Sequence, residues 1–91
     1  MFTKKLFSGG RIDSDEGFSV LFGRDSLVYR ESGREMSVTV DIGADEANVF
    51  LDSIARWDDA PNQAIGEDSK RHIADNIRRA LEWDHLTVRL L

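Results

Sequence analysis

The segment that most restricts the fold is 69–83, because its apolar residues recur with the spacing of an amphipathic helix. Four of them fall at positions i, i+4, i+7 and i+8 and therefore share one face: Ile73, Ile77, Ala80 and Leu81. The opposite face is charged, with acids and arginines four residues apart, so that they can pair. A helix with one apolar face needs a second layer to cover, and we expect the rest of the chain to supply a sheet.

Length, composition and charge restrict the class of protein. The chain has 91 residues, of which 41% are hydrophobic and 32% charged, as is typical of one small globular domain. It contains no cysteine, which excludes disulfides, thiolate metal sites and cysteine nucleophiles. The net charge of −5 disfavours nucleic acid and anionic membranes as partners. The first residues lack an apolar core of signal-peptide length, so we expect a cytoplasmic protein.

Three alternating segments, 18–22, 26–30 and 34–41, predict the centre of the sheet. With residues 32–33 as a two-residue loop, Tyr29 lies opposite Met36 in the next strand. The same register places most of the large apolar side chains of the three strands on one face and leaves Leu21 and Val28 on the other. The residues of the apolar face are Phe18, Val20, Phe22, Leu27, Tyr29, Met36, Val38 and Val40. We expect the helix to cover this face.

Two later segments can extend this meander. Residues 48–57 fit either a helix or a fourth strand reached through a hairpin loop at 42–46, and we favour the strand. Residues 86–91 alternate as a closing strand does, and we expect them to pair with a free edge of the meander. The predicted fold is α+β: an antiparallel β-meander of three to four strands, one amphipathic helix at about 69–83, and a C-terminal strand that joins the sheet.

The first sixteen residues are predicted to stand apart from this domain. Residues 9–10 are glycines and residues 13–16 are mostly acidic, with Ile12 as the only apolar residue between these two stretches. Such a segment forms either a loose arm or a short edge element. We expect the arm, because chain termini fray unless something ties them down. The predicted division is a flexible arm at 1–16 and a single domain at 17–91.

The chain contains no motif typical of a catalytic, metal or cofactor site. His72 and His85 are its two histidines, and no third ligand stands at a metal-binding spacing from them. No serine lies in a nucleophile motif, and no glycine pair begins a phosphate-binding loop. We therefore predict a protein that is not an enzyme and has no cofactor or metal. The alternative is a small enzyme or ligand-binding domain that uses His85 with Asp84 or Glu82.

Two short motifs suggest a family. They are the hairpin sequence Tyr29-Arg30-Glu31-Ser32-Gly33-Arg34 and the segment 57–61, from a tryptophan to the only proline, which precedes the helix. With these motifs, residues 18–91 resemble the small immunity proteins of bacterial polymorphic toxin systems, in particular their seventy-fourth catalogued family. The resemblance implies a meander with a strand around Trp57, a tryptophan–proline loop, and a C-terminal helix and strand. It also implies a protein that binds a cognate toxin and blocks it.

The expected function is thus that of an acidic protein-binding module, and a basic toxin domain would complement its charge. The candidate contacts are acidic and aromatic residues expected on exposed loops: Trp57, Asp58, Asp59, Glu67, Asp45 and Glu46. A homodimer remains an alternative, formed through an edge strand or through the side that carries Leu21 and Val28.

Overall fold

A computed structural model describes residues 1–5, 10–23 and 25–91, apart from the side chain of Lys5. Within these residues, seven strands form one sheet, and a long helix packs on it. The strands are β1 (Phe2–Lys5), β2 (Arg11–Ser14), β3 (Phe18–Phe22), β4 (Ser26–Glu31), β5 (Arg34–Ile42), β6 (Glu46–Val49) and β7 (Thr87–Leu90). The long helix is α1 (Glu67–Trp83), and a single 3-10 turn lies at Leu51–Ser53. The prediction of an α+β fold with one C-terminal helix is confirmed.

The sheet has more strands than predicted and is mixed. Its spatial order follows the chain from β1 to β7, and all neighbours up to β6 are antiparallel. Strand β7 joins β6 in parallel. The physical reason is the connection, since α1 carries the chain back across the sheet before β7 begins, as a crossover between parallel strands must. The expected meander of three to four strands is therefore only the centre of a larger sheet.

The predicted register of that centre is confirmed. Tyr29 lies opposite Met36, and Leu27 opposite Val38. Ser32 and Gly33 form the two-residue loop with φ of 55° and 76°, as a type I′ hairpin turn requires at both positions. All eight side chains predicted to face inward are buried except Phe22, which is half-buried.

Helix α1 covers this face with the predicted apolar side chains, since Ile73, Ile77, Ala80 and Leu81 are all buried. It begins two residues earlier than predicted, with Glu67 and Asp68 in its first turn, where the helix dipole favours acids. It ends where His85 adopts a φ of 68° and the N–H of Leu86 donates to the carbonyl of Leu81. This geometry is a Schellman cap, which gives His85 a structural task.

The prediction of a flexible arm at 1–16 is wrong for its described residues, which form the short edge element that was the alternative. Strand β1 pairs with β2, and β2 pairs with β3. Ile12 is 1% exposed, and the ring of Phe2 lies 5.9 Å from that of Phe18. Two well-placed apolar side chains therefore hold a segment whose overall composition is polar. Residues 6–9 of the predicted arm lie outside the described residues.

The predicted fourth strand is present as β6, but its predicted extent over 48–57 is wrong, and so is the helical alternative. The hairpin loop is present, but β6 stops at Val49, and Trp57 lies in a loop. The chain leaves the sheet after Val49 because the Ser53 side chain takes the place of further backbone pairing with β5. Its hydroxyl accepts from the N–H of Thr39 at 2.9 Å and donates to the carbonyl of Phe50 at 2.6 Å. A local side-chain bond of this kind competes with a sheet ladder.

Candidate functional site

The loop that contains Trp57 is fixed to the β4–β5 hairpin by three contacts. The N–H of Asp58 donates to the carbonyl of Glu35 at 2.8 Å. The guanidinium of Arg34 lies 4.9 Å from the centre of the Trp57 ring, within cation–π range. The same guanidinium pairs with Asp59, with Nη2 2.9 Å from Oδ1. Arg34 thus joins the aromatic and the acidic parts of the loop to the hairpin.

Between the loop and the hairpin lies an open depression of about 460 Å³, which we call the hairpin groove. Its lining combines hairpin, loop and turn residues: Gly17, Ser19, Arg30, Glu31, Ser32, Gly33, Arg34, Glu35, Asp58 and Asp59. Four of these are acids and two are arginines, so the groove carries an excess of negative charge.

The charges in the groove are not equally engaged. Arg30 pairs with Glu35, and Arg34 pairs with Asp59. The Asp58 carboxylate is exposed and has no partner among the described residues. Glu31 is engaged by Tyr29 and His72, so Asp58 is the one carboxylate of the groove that has no partner among the described residues.

A polar network connects Glu31, which lines the groove, to helix α1. The hydroxyl of buried Tyr29 donates to Glu31 Oε1 at 2.7 Å and accepts from Asn76 Nδ2 at 2.9 Å. His72 Nε2 lies 3.0 Å from Glu31 Oε2. Burial raises the pKa of Tyr29, and the nearby Glu31 carboxylate raises it further, so the phenol stays neutral and can donate.

The network continues along the helix to the β2–β3 turn. Asn76 is buried, and its Oδ1 accepts from Arg79 Nη2 at 2.8 Å. Arg79 in turn pairs with Glu16 at 2.8 Å, and this hydrogen-bonded guanidinium lowers the pKa of Glu16. Through this network, Glu31 at the groove is connected to both the sheet and the helix.

The structure separates the remaining candidate contacts from this groove. Asp45 and Glu46 lie at the far end of β5, which at about 3.3 Å per residue is about 23 Å from Glu35. The carbonyl of Asp45 accepts from the N–H of Thr87 at 2.9 Å. Glu67 lines a different depression, of about 360 Å³, with Leu51, Lys70 and Leu90 among its neighbours. Of the six predicted contacts, only Asp58 and Asp59 line the groove, while Trp57 lies next to them in the same loop and lines a smaller depression of about 170 Å³.

The residues of the enzymatic alternative do not share a cavity in the depressions described. Asp84 pairs with Lys4 at 2.9 Å, and His85 caps the helix. The hairpin groove, the depression at Glu67 and a smaller one beside Trp57 are all lined by other residues. Among the described residues, no group of three or more potential ligands could hold a metal ion. In the same part of the chain, no helix is long and apolar enough to cross a membrane.

Sequence reasoning missed Arg34, Glu31 and Asn76 as parts of the site. The hairpin register placed Arg34 opposite Glu31, but its contact with Trp57 depends on the path of a distant loop. Asn76 had a usable signal, because a polar residue three positions after Ile73 interrupts the apolar face of the helix. Such a residue, when buried, needs a partner, and here it is the only tyrosine of the chain.

Comparison with known proteins gave no match: no family model, no curated protein and no solved structure matches this chain. The resemblance to immunity proteins therefore stays a prediction, and the functional proposal depends on the geometry of the groove.

Proposed function

We propose that this chain is a non-enzymatic binding module that holds a basic segment of a protein partner in the hairpin groove. The observation behind this proposal is the exposed Asp58 carboxylate, which has no partner among the described residues. It lies in a groove whose lining contains two more acids than arginines. An arginine or lysine of the partner would complete this set of charges, and an arginine could bond to the carboxylate through two N–H groups at once.

The attachment of the loop supports this proposal. The contacts of Arg34 with Trp57 and Asp59, and the backbone bond from Asp58 to Glu35, fix the loop backbone that carries the carboxylate before a partner arrives. A site ordered in advance loses less conformational entropy on binding, which increases affinity for the same contacts. The net charge of −5 would also speed the approach of a basic partner.

We further propose that the partner is a basic toxin domain and that the protein acts in the bacterial cytoplasm as its immunity protein. This part depends on the sequence resemblance in the hairpin and in the segment 57–61. An inhibitor of this kind needs no chemistry of its own, since it blocks the toxin by covering its surface.

The groove is tested by titrating the isotope-labelled protein with a short arginine-rich peptide and following the backbone amides by NMR. We expect shifts that concentrate at Gly33, Glu35 and Asp58, and binding that weakens with salt. Asp58→Lys should reduce affinity about tenfold or more, because it reverses the uncompensated charge. The matched control is Asp41→Lys, which makes the same charge change on an exposed strand position outside the groove. Equal losses of affinity in the two variants would show that the overall negative charge attracts the peptide and that the groove is not a specific site.

The immunity role has its own test. The gene beside this one is expressed in a sensitive host, alone and together with the protein. We expect toxicity that the wild type suppresses, Asp58→Lys does not, and Asp41→Lys does. A harmless neighbouring gene, or a toxicity that the wild type does not suppress, would contradict this role. Suppression by all three proteins would instead show that the protein neutralises the toxin without Asp58, which would contradict the use of the groove.

A further inference from the structure

Within the described part of the chain, strand β7 has a free backbone edge. The N–H of Thr87 donates to Asp45 and the N–H of Leu91 to Val49, so alternate residues of β7 direct their backbone towards β6. Val88 and Leu90 therefore direct their N–H and carbonyl groups away from the sheet. No described residue bonds to them on that side. Such an edge is a template for another strand.

Exposed apolar side chains gather beside this edge. Phe50 is 38% exposed, Leu90 39% and Leu91 63%. The opposite edge of the sheet is different, because the side chains of β1 are engaged with the end of α1. The ring of Phe2 lies 5.7 Å from that of Trp83, and Lys4 pairs with Asp84. Met1 and Trp83 are also exposed at the β1 edge, but there the side chains of β1 already contact α1, whereas the exposed apolar side chains beside β7 have no such cover among the described residues.

We propose that a second copy of this chain occupies the edge, with the two β7 strands antiparallel about a two-fold axis at Val88. Val88 and Leu90, whose backbone groups point away from the sheet, must form the hydrogen-bonded pairs between the two copies. Only a few registers of the two strands meet this condition. An axis at Arg89 would place two arginines opposite each other at about 4.5 Å between Cα atoms, and like charges so placed are destabilising. An axis at Val88 instead pairs Leu86 with Leu90 of the second copy, and Thr87 with Arg89 of the second copy.

The charges on the outer face favour the same register. Glu46 lies beside Thr87 in the sheet, and in the dimer Thr87 would lie beside Arg89 of the second copy. Glu46 and this arginine would therefore be two strand spacings apart, about 9 Å between Cα atoms. Long arginine and glutamate side chains can span this distance. Neither Glu46 nor Arg89 has an ion-pair partner among the described residues. The two-fold axis generates the contact twice, so the dimer would gain two ion pairs.

The dimer does not use the hairpin groove, so it can exist with or without the proposed function. Asp58 and Glu46 lie near opposite ends of β5. The short strands give a small interface, and we expect an affinity in the range of about 10 μM to about 1 mM.

The test is analytical ultracentrifugation of the full chain across that concentration range. We expect a monomer–dimer equilibrium that Arg89→Glu weakens about tenfold or more, because Glu46 would then face a like charge. The double variant Glu46→Arg with Arg89→Glu exchanges the two charges, and we expect it to restore most of the wild-type affinity. Arg56→Glu is the matched control, since Arg56 is an exposed arginine outside β7 and should leave the dimer unchanged.

Three results would overturn the proposal. The first is a wild type that stays monomeric up to about 1 mM. The second is a dimer that Arg89→Glu weakens no more than Arg56→Glu does. The third is a dimer that the charge exchange fails to restore while circular dichroism shows the double variant to be folded.

Discussion

At the scale of single residues, Tyr29 is the most informative side chain, because it connects the groove rim to the helix through one hydroxyl. It is fully buried and bonds to both Glu31 and Asn76. Burial penalises the phenolate most, and the Glu31 carboxylate adds to this effect, so the pKa of Tyr29 is raised. The neutral phenol is therefore part of the folded state.

This predicts the behaviour of the protein in alkali. Because the folded pKa is raised, the stabilisation from Tyr29 is complete below the unfolded pKa of about 10 and is lost as pH rises above it. We expect the phenolate absorbance to stay absent above pH 10 while the protein is folded, and to appear only as it unfolds. The chain has one tyrosine, so the signal needs no assignment.

The control for this titration is the same chain in strong denaturant, where the phenol should ionise near its ordinary pKa of about 10. Tyr29→Phe should remove the absorbance change altogether. A phenolate signal near pH 10 in protein that is still folded by circular dichroism would contradict the buried network.

At the scale of the elements, the N-terminal hairpin of β1 and β2 is the clearest departure from the sequence prediction, and Phe2 tests it. The Phe2 ring contacts Phe18 in β3 and Trp83 in α1. We expect Phe2→Ala to lower the free energy of unfolding by about 1–3 kcal/mol, somewhat less than for a fully buried phenylalanine. Urea denaturation measures this change.

Thr3→Ala is the control in the same strand, because Thr3 is exposed and should change stability by less than about 0.5 kcal/mol. If Phe2→Ala were as mild as Thr3→Ala, the hairpin would contribute nothing to the fold and the interpretation as an arm would return.

The elements that could be predicted are those with a strong local pattern. Strands β3 to β5 alternate over five to nine residues, and α1 repeats its apolar face over about two turns, from Ile73 to Leu81, so their register and contact face followed from sequence. Strands β1, β2 and β6 have four residues each, too few for a clear alternation. The direction of β7 follows from the crossover through α1 and is not encoded in its own residues.

The candidate site divides in the same way. Trp57, Asp58 and Asp59 could be found because they are neighbours in one loop. Asp45, Glu46 and Glu67 were grouped with them only for their charge, and the structure places Asp45 and Glu46 at the other end of β5. Charge indicates a kind of partner, but only the fold brings charges together.

At the scale of the whole molecule, one core connects every layer. It extends from Ile12 in β2 through the central strands to Val49 in β6, and α1 adds Ile73 and Leu81. The chain ends are tied to the same body, since Lys4 in β1 pairs with Asp84 after α1. A domain of this size with a single core is expected to unfold in one cooperative step.

The two tryptophans test this cooperativity because they report on different parts of the molecule. Trp57 lies in the loop beside the hairpin groove, against Tyr29, and Trp83 lies at the end of α1, against Phe2. We expect Trp83→Phe and Trp57→Phe, each with one remaining tryptophan, to show a fluorescence transition in urea that coincides with loss of helical circular dichroism in the same variant. If the N-terminal hairpin opened as a separate unit, Trp83 would change at a lower urea concentration than the helix signal, whereas Trp57 would still follow it. Coincidence in both variants would show that β1 belongs to the same folding unit as the hairpin groove at the other end of the helix.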